Sequence, residues 1–152
     1  MSLVRVQQDD FDIGAVLEEL RRGRSDIGAT ATFIGYVRDL NLDDDVEAMV
    51  LEHYPGMTEK ALEEIVAEAD SRWDLLGTAV IHRVGELQPA DQIVLVAVSS
   101  AHRGDAFAAC EFIMDYLKTR APFWKKELLK DGTSRWVEAR SSDDDAAQRW
   151  EE

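Results

Sequence analysis

The hydrophobic residues of this chain change their spacing several times, and this alternation is what most limits its fold. Runs rich in apolar and β-branched residues predict strands, whereas apolar residues that recur every three or four positions predict helices. Strands are predicted at 3–6, 28–38, 46–54, 78–84, 92–99, 123–129 and 133–139, and helices at 12–23, 58–73 and 104–120. The pattern favours an α+β fold with a mixed or largely antiparallel sheet.

Turn-forming residues support these boundaries. Pro55-Gly56 predicts a turn that stops the third strand, and Thr58 is expected to cap the helix that follows. Pro122 disfavours helical geometry at Ala121 and so ends the third helix. Asp131-Gly132 predicts a hairpin between the last two strands. The residues expected on the buried face of the third helix are Phe107, Cys110, Ile113, Met114 and Leu117.

No repeat, linker or break in composition divides the chain, so we expect a single domain over residues 1–152. Its acidic tail at 143–152 is expected either to form a short helix or to fray. The formal net charge of −14 opposes binding to nucleic acid and to anionic membranes. There is no apolar run of about 20 residues, no secretory signal and only one cysteine, Cys110. These features predict a cytoplasmic protein.

One run of residues departs from the acidic background. Residues 118–126 (KTRAPFWKK) contain four cations and no acid, although 17 cations in 152 residues would place about one in such a window. A corner at Pro122 between a helix and a strand can bring Lys118 and Lys125 to the mouth of one pocket. Phe123 and Trp124 could supply its apolar wall. This arrangement predicts an anion site.

A purely structural explanation accounts for part of this run. The helix dipole favours Lys118 and Arg120 near a C-terminus, but it does not explain Lys125 and Lys126. Alternation along a strand places those two on opposite faces, so only one of them can point into a given site. A lysine near a second cation or an apolar wall has a lowered pKa and can act as an acid, base or nucleophile. One that stays charged can stabilise an anion.

Residues 99–104 (SSAHRG) form a second candidate, between a strand and the start of the third helix. Backbone N–H groups at a helix start bind anions, with Arg103 as a bidentate donor and His102 able to transfer a proton. The alternative is a capping loop with an exposed arginine. Arg38 alone indicates a surface cation paired with Asp39 or Asp43. His53 and His82 are interpreted as packed, hydrogen-bonded histidines, and Cys110 as a buried hydrophobe.

Four blocks occur in order along the chain: 51–57 (LEHYPGM), 80–87 (VIHRVGEL), 99–103 (SSAHR) and 112–125 (FIMDYLKTRAPFWK). Together they resemble the catalytic large-subunit family of molybdopterin synthase, from about residue 28 to residue 140. The resemblance implies an α/β hammerhead-like domain with an additional antiparallel sheet portion. It implies conversion of cyclic pyranopterin monophosphate (precursor Z) into molybdopterin by formation of the dithiolene.

The resemblance also implies partners. Sulfur would arrive as the C-terminal thiocarboxylate of a small ubiquitin-like subunit that ends in Gly-Gly, and the large subunits would form a homodimer within a heterotetramer. No resident cofactor or metal is implied, because the phosphorylated pterin is the substrate.

Residue roles follow from the same resemblance. Lys118 and Lys125 match the family's catalytic lysines. Arg38, His102 and Arg103 match residues that bind the pterin or its phosphate, and Lys126 and Glu127 lie beside that site. The position before Val37 is expected often to be lysine and here is Tyr36, whose backbone could still contribute. The residues predicted to bind substrate are therefore Tyr36, Val37, Arg38, His102, Arg103, Lys126 and Glu127.

Two alternatives stay open at this point. The chain could be a non-catalytic module that docks a ubiquitin-like tail in the same cationic groove, or an enzyme that acts on another phosphorylated heterocycle. A docking module would bind the small partner without changing precursor Z, whereas direct comparison of substrates would identify the second.

Overall fold

A computed structural model describes residues 1–38, 46–137 and 141–151 of the chain. The elements in chain order are β1 (Ser2–Gln7), α1 (Ile13–Arg21), β2 (Ala29–Tyr36), β3 (Val46–His53), α2 (Met57–Arg72), β4 (Leu75–Arg83), β5 (Gly85–Leu87), β6 (Gln92–Ser100), α3 (Arg103–Arg120), β7 (Phe123–Leu129), β8 (Ser134–Val137) and α4 (Ser141–Gln148). The predicted α+β class is confirmed, and the strands form two open sheets.

The first sheet has the strand order β1-β4-β6-β2, and the second has the order β5-β3-β7-β8. Only β1 and β4 pair in parallel among the described strands, so the sheets are largely antiparallel, as predicted. The apolar runs of β4 and β6 are continuous, so successive residues are buried on both faces of the first sheet, which helices cover on both sides.

Alternate residues of β4 and β6 face different helices. Val80 and Val96 belong to the larger core, which also contains buried residues of α2 and α3. Ile81 and Leu95 face the other way and pack against buried residues of α1. His82, two residues after Val80, therefore faces the side of the sheet that α2 and α3 cover.

The second sheet packs against one end of the first. Val37, Met49, Leu51 and Leu87 form a small buried cluster there, with Ile93 of β6 packed against it. We call this end of the first sheet, where β4 finishes and β6 starts, the lysine end. The opposite end, where β6 finishes and α3 starts, is called the helix-start end.

Three sequence predictions need correction. Thr58 does not cap α2, because Gly56, with φ 83°, occupies that position and Thr58 lies within the first turn. Phe107 is 64% exposed, so it does not belong to the buried face of α3. The short strand β5 was not predicted, because three residues are too few to show alternation.

The C-terminal segment forms the helix α4 and packs against the rest of the fold. Of the two alternatives for the acidic tail, the short helix is therefore the one found. The Trp150 ring makes edge contacts with Trp73 and Phe112, with centroids 5.8 and 5.6 Å apart, and its Nε1 donates to Asp115 at 2.6 Å. Within residues 1–38, 46–137 and 141–151, no helix is long and apolar enough to cross a membrane. The predicted acidic loop at 43–45 and the end of the last predicted strand lie outside the described residues.

Candidate functional site

The corner between α3 and β7 carries both candidate catalytic lysines. Helix α3 ends at Arg120, as Pro122 predicted, and Ala121 adopts extended geometry with φ −82° and ψ 130°. The Phe123 N–H donates to the Ala121 carbonyl at 2.9 Å, which closes a tight three-residue turn. Lys118 lies in the last turn before this corner and Lys125 on the strand after it.

A buried threonine fastens the corner to α2. Thr58 is 0% exposed, and its hydroxyl donates to the Pro122 carbonyl at 3.0 Å while accepting from the Tyr54 N–H at 3.0 Å. Both backbone groups would otherwise lack a partner in a water-poor region, so these bonds stabilise the corner. The hydroxyl that was expected to cap a helix instead positions the turn between the two lysines.

His82 lies beside the Pro122 corner. Its ring is 4% exposed and stacks on Phe123, with centroids 3.9 Å apart and planes inclined by 19°. Burial lowers the pKa of His82 to about 4, and the positive charges of Lys118 and Lys125, together with His53, contribute to this decrease. This shared influence on one imidazole agrees with the predicted convergence of the two amines, which stays a prediction.

The other two cations of the run have structural contacts. Arg120 forms an ion pair with Glu68 of α2 at 3.0 Å, and its guanidinium lies 3.7 Å from the centre of the Tyr116 ring. Lys126 pairs with Glu52 at 3.3 Å and lies 4.7 Å from the centre of the Trp136 ring. The run of four cations therefore divides into two that hold the fold together and two that approach His82.

Strand register explains why Lys125 and Lys126 behave differently. Lys125 is opposite Leu51 and shares its face with Phe123 and His53, whereas Lys126 is opposite Val50 and Trp136 on the other face. The prediction that only one of them points into a given site agrees with this register. Glu127 returns to the face of Lys125 and forms an ion pair with Arg135 at 3.0 Å.

Tyr36 ends β2 at the lysine end, and Val37 and Arg38 follow it. Tyr36 pairs with Gln92 and is exposed, as is Arg38. Val37 is buried, its N–H donates to the Asp91 carbonyl at 2.8 Å, and its own carbonyl accepts from the Ala90 N–H at 2.7 Å. This geometry gives Val37 a packing role and leaves Arg38 as the exposed cation. The expected partners of Arg38, Asp39 and Asp43, lie outside the described residues.

His102 and Arg103 lie at the helix-start end. His102 precedes α3 and makes no side-chain capping bond, and Arg103 is its first residue; both are exposed. The two serines before them are buried and serve the fold instead: Ser99 bonds Thr30 at 2.8 Å and Ser100 donates to the Asp74 carbonyl at 2.8 Å. An anion at this loop would therefore meet His102, Arg103 and backbone N–H groups, but not the serine hydroxyls.

The two groups of site residues are far apart within one chain. Arg103 and Lys118 both lie on helix α3, which has 18 residues, and at 1.5 Å per residue they are about 23 Å apart along its axis. Arg103 and Lys118 therefore belong to different ends of the molecule, and one chain by itself does not bring them together.

Sequence reasoning missed two contributors, His82 and Thr58. His82 was interpreted as a packed, hydrogen-bonded histidine, and this is confirmed because its Nδ1 lies 2.8 Å from the Arg83 carbonyl. Its place against Phe123 at the corner had no local signal, since Phe123 is 41 positions further along the chain. Among the described residues, no group of three or more His, Cys, Asp or Glu side chains is placed to hold a metal ion.

Comparison with known proteins determines the family. A family model described as MoaE protein matches residues 6–120, three quarters of the chain. This chain belongs to the MoaE family. A MoaE relative from Ralstonia nicotianae, named molybdopterin synthase catalytic subunit, is 63% identical over 99% of this chain and 85% of its own length. The protein of the same name from Vibrio cholerae is 61% identical over 97% of each chain.

Solved MoaE structures have the same fold. The molybdopterin biosynthesis MoaE protein from Burkholderia ambifaria superposes with a TM-score of 0.85 at 59% identity, covering 100% of this chain and 99% of its own. Molybdopterin synthase from Staphylococcus aureus gives a TM-score of 0.79 at 34% identity over 88% and 95% of the two chains. As a MoaE protein, this chain is an enzyme, a molybdopterin synthase catalytic subunit of molybdenum cofactor biosynthesis.

Proposed function

We propose that this chain transfers sulfur from the C-terminal thiocarboxylate of a small ubiquitin-like subunit to cyclic pyranopterin monophosphate (precursor Z), forming the molybdopterin dithiolene. The observation that carries the proposal is the Pro122 corner, which joins the last turn of α3, with Lys118, to β7, with Lys125, beside the buried His82 that stacks on Phe123. A thiocarboxylate and a phosphate are both anions, and a pair of amines on an acidic protein offers them a local positive site.

Each residue receives a role in this proposal. Lys118 has no carboxylate partner within 4.0 Å among the described residues, and we assign it to the thiocarboxylate. The donor sulfur bonds to a pterin side-chain carbon while a carbon–oxygen bond at that carbon breaks and its oxygen leaves, which gives an acyl-linked intermediate. Water then cleaves the acyl–sulfur bond. This leaves sulfur on the pterin and a carboxylate on the partner. Lys125 assists proton transfer as the cyclic phosphate opens, while Arg38, His102 and Arg103 hold the phosphate.

The partners are part of the proposal. A solved structure from Helicobacter pylori, a complex of subunits 1 and 2 of molybdopterin-converting factor, has this fold with a TM-score of 0.74 at 19% identity. That complex supports a small-subunit partner for the present chain. The Gly-Gly tail of that partner, a homodimer of large subunits within a heterotetramer, a cytoplasmic location and the lack of a resident cofactor stay predictions.

The separation of Arg103 from Lys118 leads us to propose a site shared between two large subunits. If both residues serve one phosphorylated substrate, Arg103 must come from a second copy, because α3 holds them about 23 Å apart in the same chain. A two-fold dimer would then contain two equivalent shared sites.

Complementation between two inactive variants tests the shared site. Lys118→Ala and Arg103→Ala chains are mixed, allowed to exchange subunits, and assayed for dithiolene formation with thiocarboxylated partner and precursor Z. A mixed dimer contains one intact site and one doubly defective site, so a statistical mixture should recover about a quarter of wild-type activity. Recovery no greater than the sum of the two separate variants would refute the shared site.

The sulfur-transfer role itself is tested with Lys118→Ala alone. We expect dithiolene formation to fall at least about 100-fold, the typical effect of removing a group that stabilises charge or transfers a proton, while affinity for the small subunit changes less than about threefold. Lys130→Ala, an exposed lysine after β7, is the matched control and should retain activity. Normal turnover in Lys118→Ala would refute the assignment, and partner binding without dithiolene formation by the wild-type protein would favour a docking module.

A further inference from the structure

His82 is the buried titratable group at the site for which the proposed reaction gives no role. It lies near the end of β4, a strand that is paired on both sides, with β1 and with β6. Its position in the first sheet is therefore fixed by the surrounding backbone. The two lysines, in contrast, belong to a helix end and to a strand of the second sheet, joined only by the Pro122 corner.

The ring of His82 connects this fixed strand to the corner. It stacks on Phe123, the first residue of β7 and the neighbour of Pro122, with ring centroids 3.9 Å apart. Two contacts therefore hold adjacent residues of the corner. The stack from His82 of the first sheet holds Phe123, and the hydrogen bond from the Thr58 hydroxyl of α2 holds Pro122. Aromatic stacking of this kind constrains ring orientation as well as distance.

The protonation state of His82 suits such a role. Its Nδ1 must donate to the Arg83 carbonyl, because a carbonyl oxygen only accepts, and this bond fixes the ring plane and the tautomer. Lys118, Lys125 and His53 are the titratable groups that oppose a charge on the ring, and burial has the same effect. A neutral imidazole can lie close to two amines without repelling them, as a charged one would.

We propose that His82 is a positioning residue whose ring, stacked on Phe123 and bonded to the Arg83 carbonyl, holds the Pro122 corner so that the Lys118 and Lys125 amines face the same reactants. This inference deepens the proposed sulfur-transfer function and rests on it. His82 touches no reactant in this arrangement and acts only through the corner.

Three substitutions distinguish the effect of the aromatic ring from the effect of its N–H donor. His82→Phe keeps an aromatic ring for the stack, His82→Asn keeps a polar donor without a ring, and His82→Ala removes both. Ile81→Ala is the matched control, because Ile81 is equally buried on the same strand but faces the α1 side of the sheet. All variants are studied as the assembled enzyme with its small subunit, at equal folded fraction.

Two measurements are made on each variant. Turnover with precursor Z is expected to fall about tenfold to 100-fold in kcat for His82→Ala and His82→Asn, since small misplacements of reacting groups have effects of this size. KM should change less than about threefold, and His82→Phe should recover kcat to within about threefold of wild type. Acylation of Lys118 and Lys125 as a function of pH, followed by mass spectrometry, should show a shifted titration of at least one amine in His82→Ala but not in His82→Phe or Ile81→Ala.

The outcomes distinguish failure of this inference from failure of the proposed function. If His82→Phe is as slow as His82→Ala, or His82→Asn turns over like wild type, the stack is not the cause and the inference is overturned. Unchanged lysine titration in both His82→Ala and His82→Asn overturns it too, as does an equal loss of kcat in Ile81→Ala. If the wild-type assembly forms no dithiolene, the proposed function fails, while the lysine titration still tests the position of the amines.

Discussion

Replacing Thr58 with valine is the sharpest test of how the lysine corner is held. Valine has nearly the same shape as threonine but neither donates nor accepts, so the Pro122 carbonyl and the Tyr54 N–H each lose a bond of 3.0 Å. Because Thr58 is fully buried, water cannot readily replace the hydroxyl. A buried polar group left without a partner costs about 1–3 kcal/mol, so the free energy of unfolding should fall by about 2–4 kcal/mol.

Thr78→Val provides a control with the same chemical change and almost the same burial. Thr78 is 1% exposed, and within the part of the chain that the structure describes its Oγ1 has no hydrogen-bond partner. Removing an unsatisfied buried hydroxyl loses no bond and relieves its desolvation, so stability should stay level or rise by about 1 kcal/mol. The two Thr→Val variants should therefore differ by at least about 2 kcal/mol.

Urea unfolding at one fixed protein concentration measures both variants, since subunit association also contributes to apparent stability. For a chain of this size, Thr58→Val should lower Tm by about 4–12 °C. Thr58→Val within about 0.5 kcal/mol of wild type would refute the assigned role of the hydroxyl. Equal losses in the two variants would show that loss of a hydroxyl at any buried site, and not the two bonds, is responsible.

Three further predictions concern other parts of the fold. Gly28→Ala should lower the free energy of unfolding by about 2 kcal/mol or more, because the new Cβ would lie 2.0 Å from the Ala101 carbonyl oxygen. Gly14→Ala in α1 should raise it by about 0.5–1 kcal/mol in the same urea experiment. Equal effects of the two substitutions would contradict the steric argument. Trp150→Ala should lower stability by about 2–4 kcal/mol through loss of its contacts with Trp73 and Phe112, and a change below about 1 kcal/mol would mean that α4 contributes little. Burial lowers the pKa of His82 from 6.5 to about 4, so the unfolded chain binds a proton between these pH values that the folded chain does not. The folded state therefore loses stability as pH falls through this range. Between pH 7 and pH 4.5, the Tm of His82→Phe should fall less than the Tm of the wild type. Equal falls in Tm would contradict the lowered pKa of His82.

Local patterns were enough to predict most of the elements, because their causes are local. The period of apolar residues identified helices α1 to α3 and every described strand except β5, and Pro122 located the end of α3. Thr58 was misassigned for the opposite reason. Its preference for helix caps is a statistical, local tendency, but its hydroxyl is used by the Pro122 carbonyl, 64 positions away. Such a demand from tertiary structure has no signature near the threonine.

The candidate site divides in the same way. The single turn that joins Lys118 to Lys125 could be predicted, because Pro122 ends the helix before it. The distance of Arg103 from Lys118 was also implicit in the sequence, since a helix predicted over 104–120 already places them at opposite ends. The contribution of His82 could not be predicted, because it depends on how β4 meets the corner, and this requires the packing of both sheets.

The ion pairs around the corner explain how a protein with a net charge of −14 keeps a positive site. Exposed charges more than about 8 Å apart are largely screened at physiological salt, so neighbouring groups decide the local potential. Glu68 and Glu52 pair with two cations of the run 118–126, Arg120 and Lys126. These pairs neutralise two acids close to the site, while Lys118 has no carboxylate partner among the described residues. Arg120 and Lys126 therefore contribute to the positive site although they lie outside it. Because they pair with Glu68 and Glu52, these carboxylates do not pair with Lys118, which is proposed to bind the thiocarboxylate.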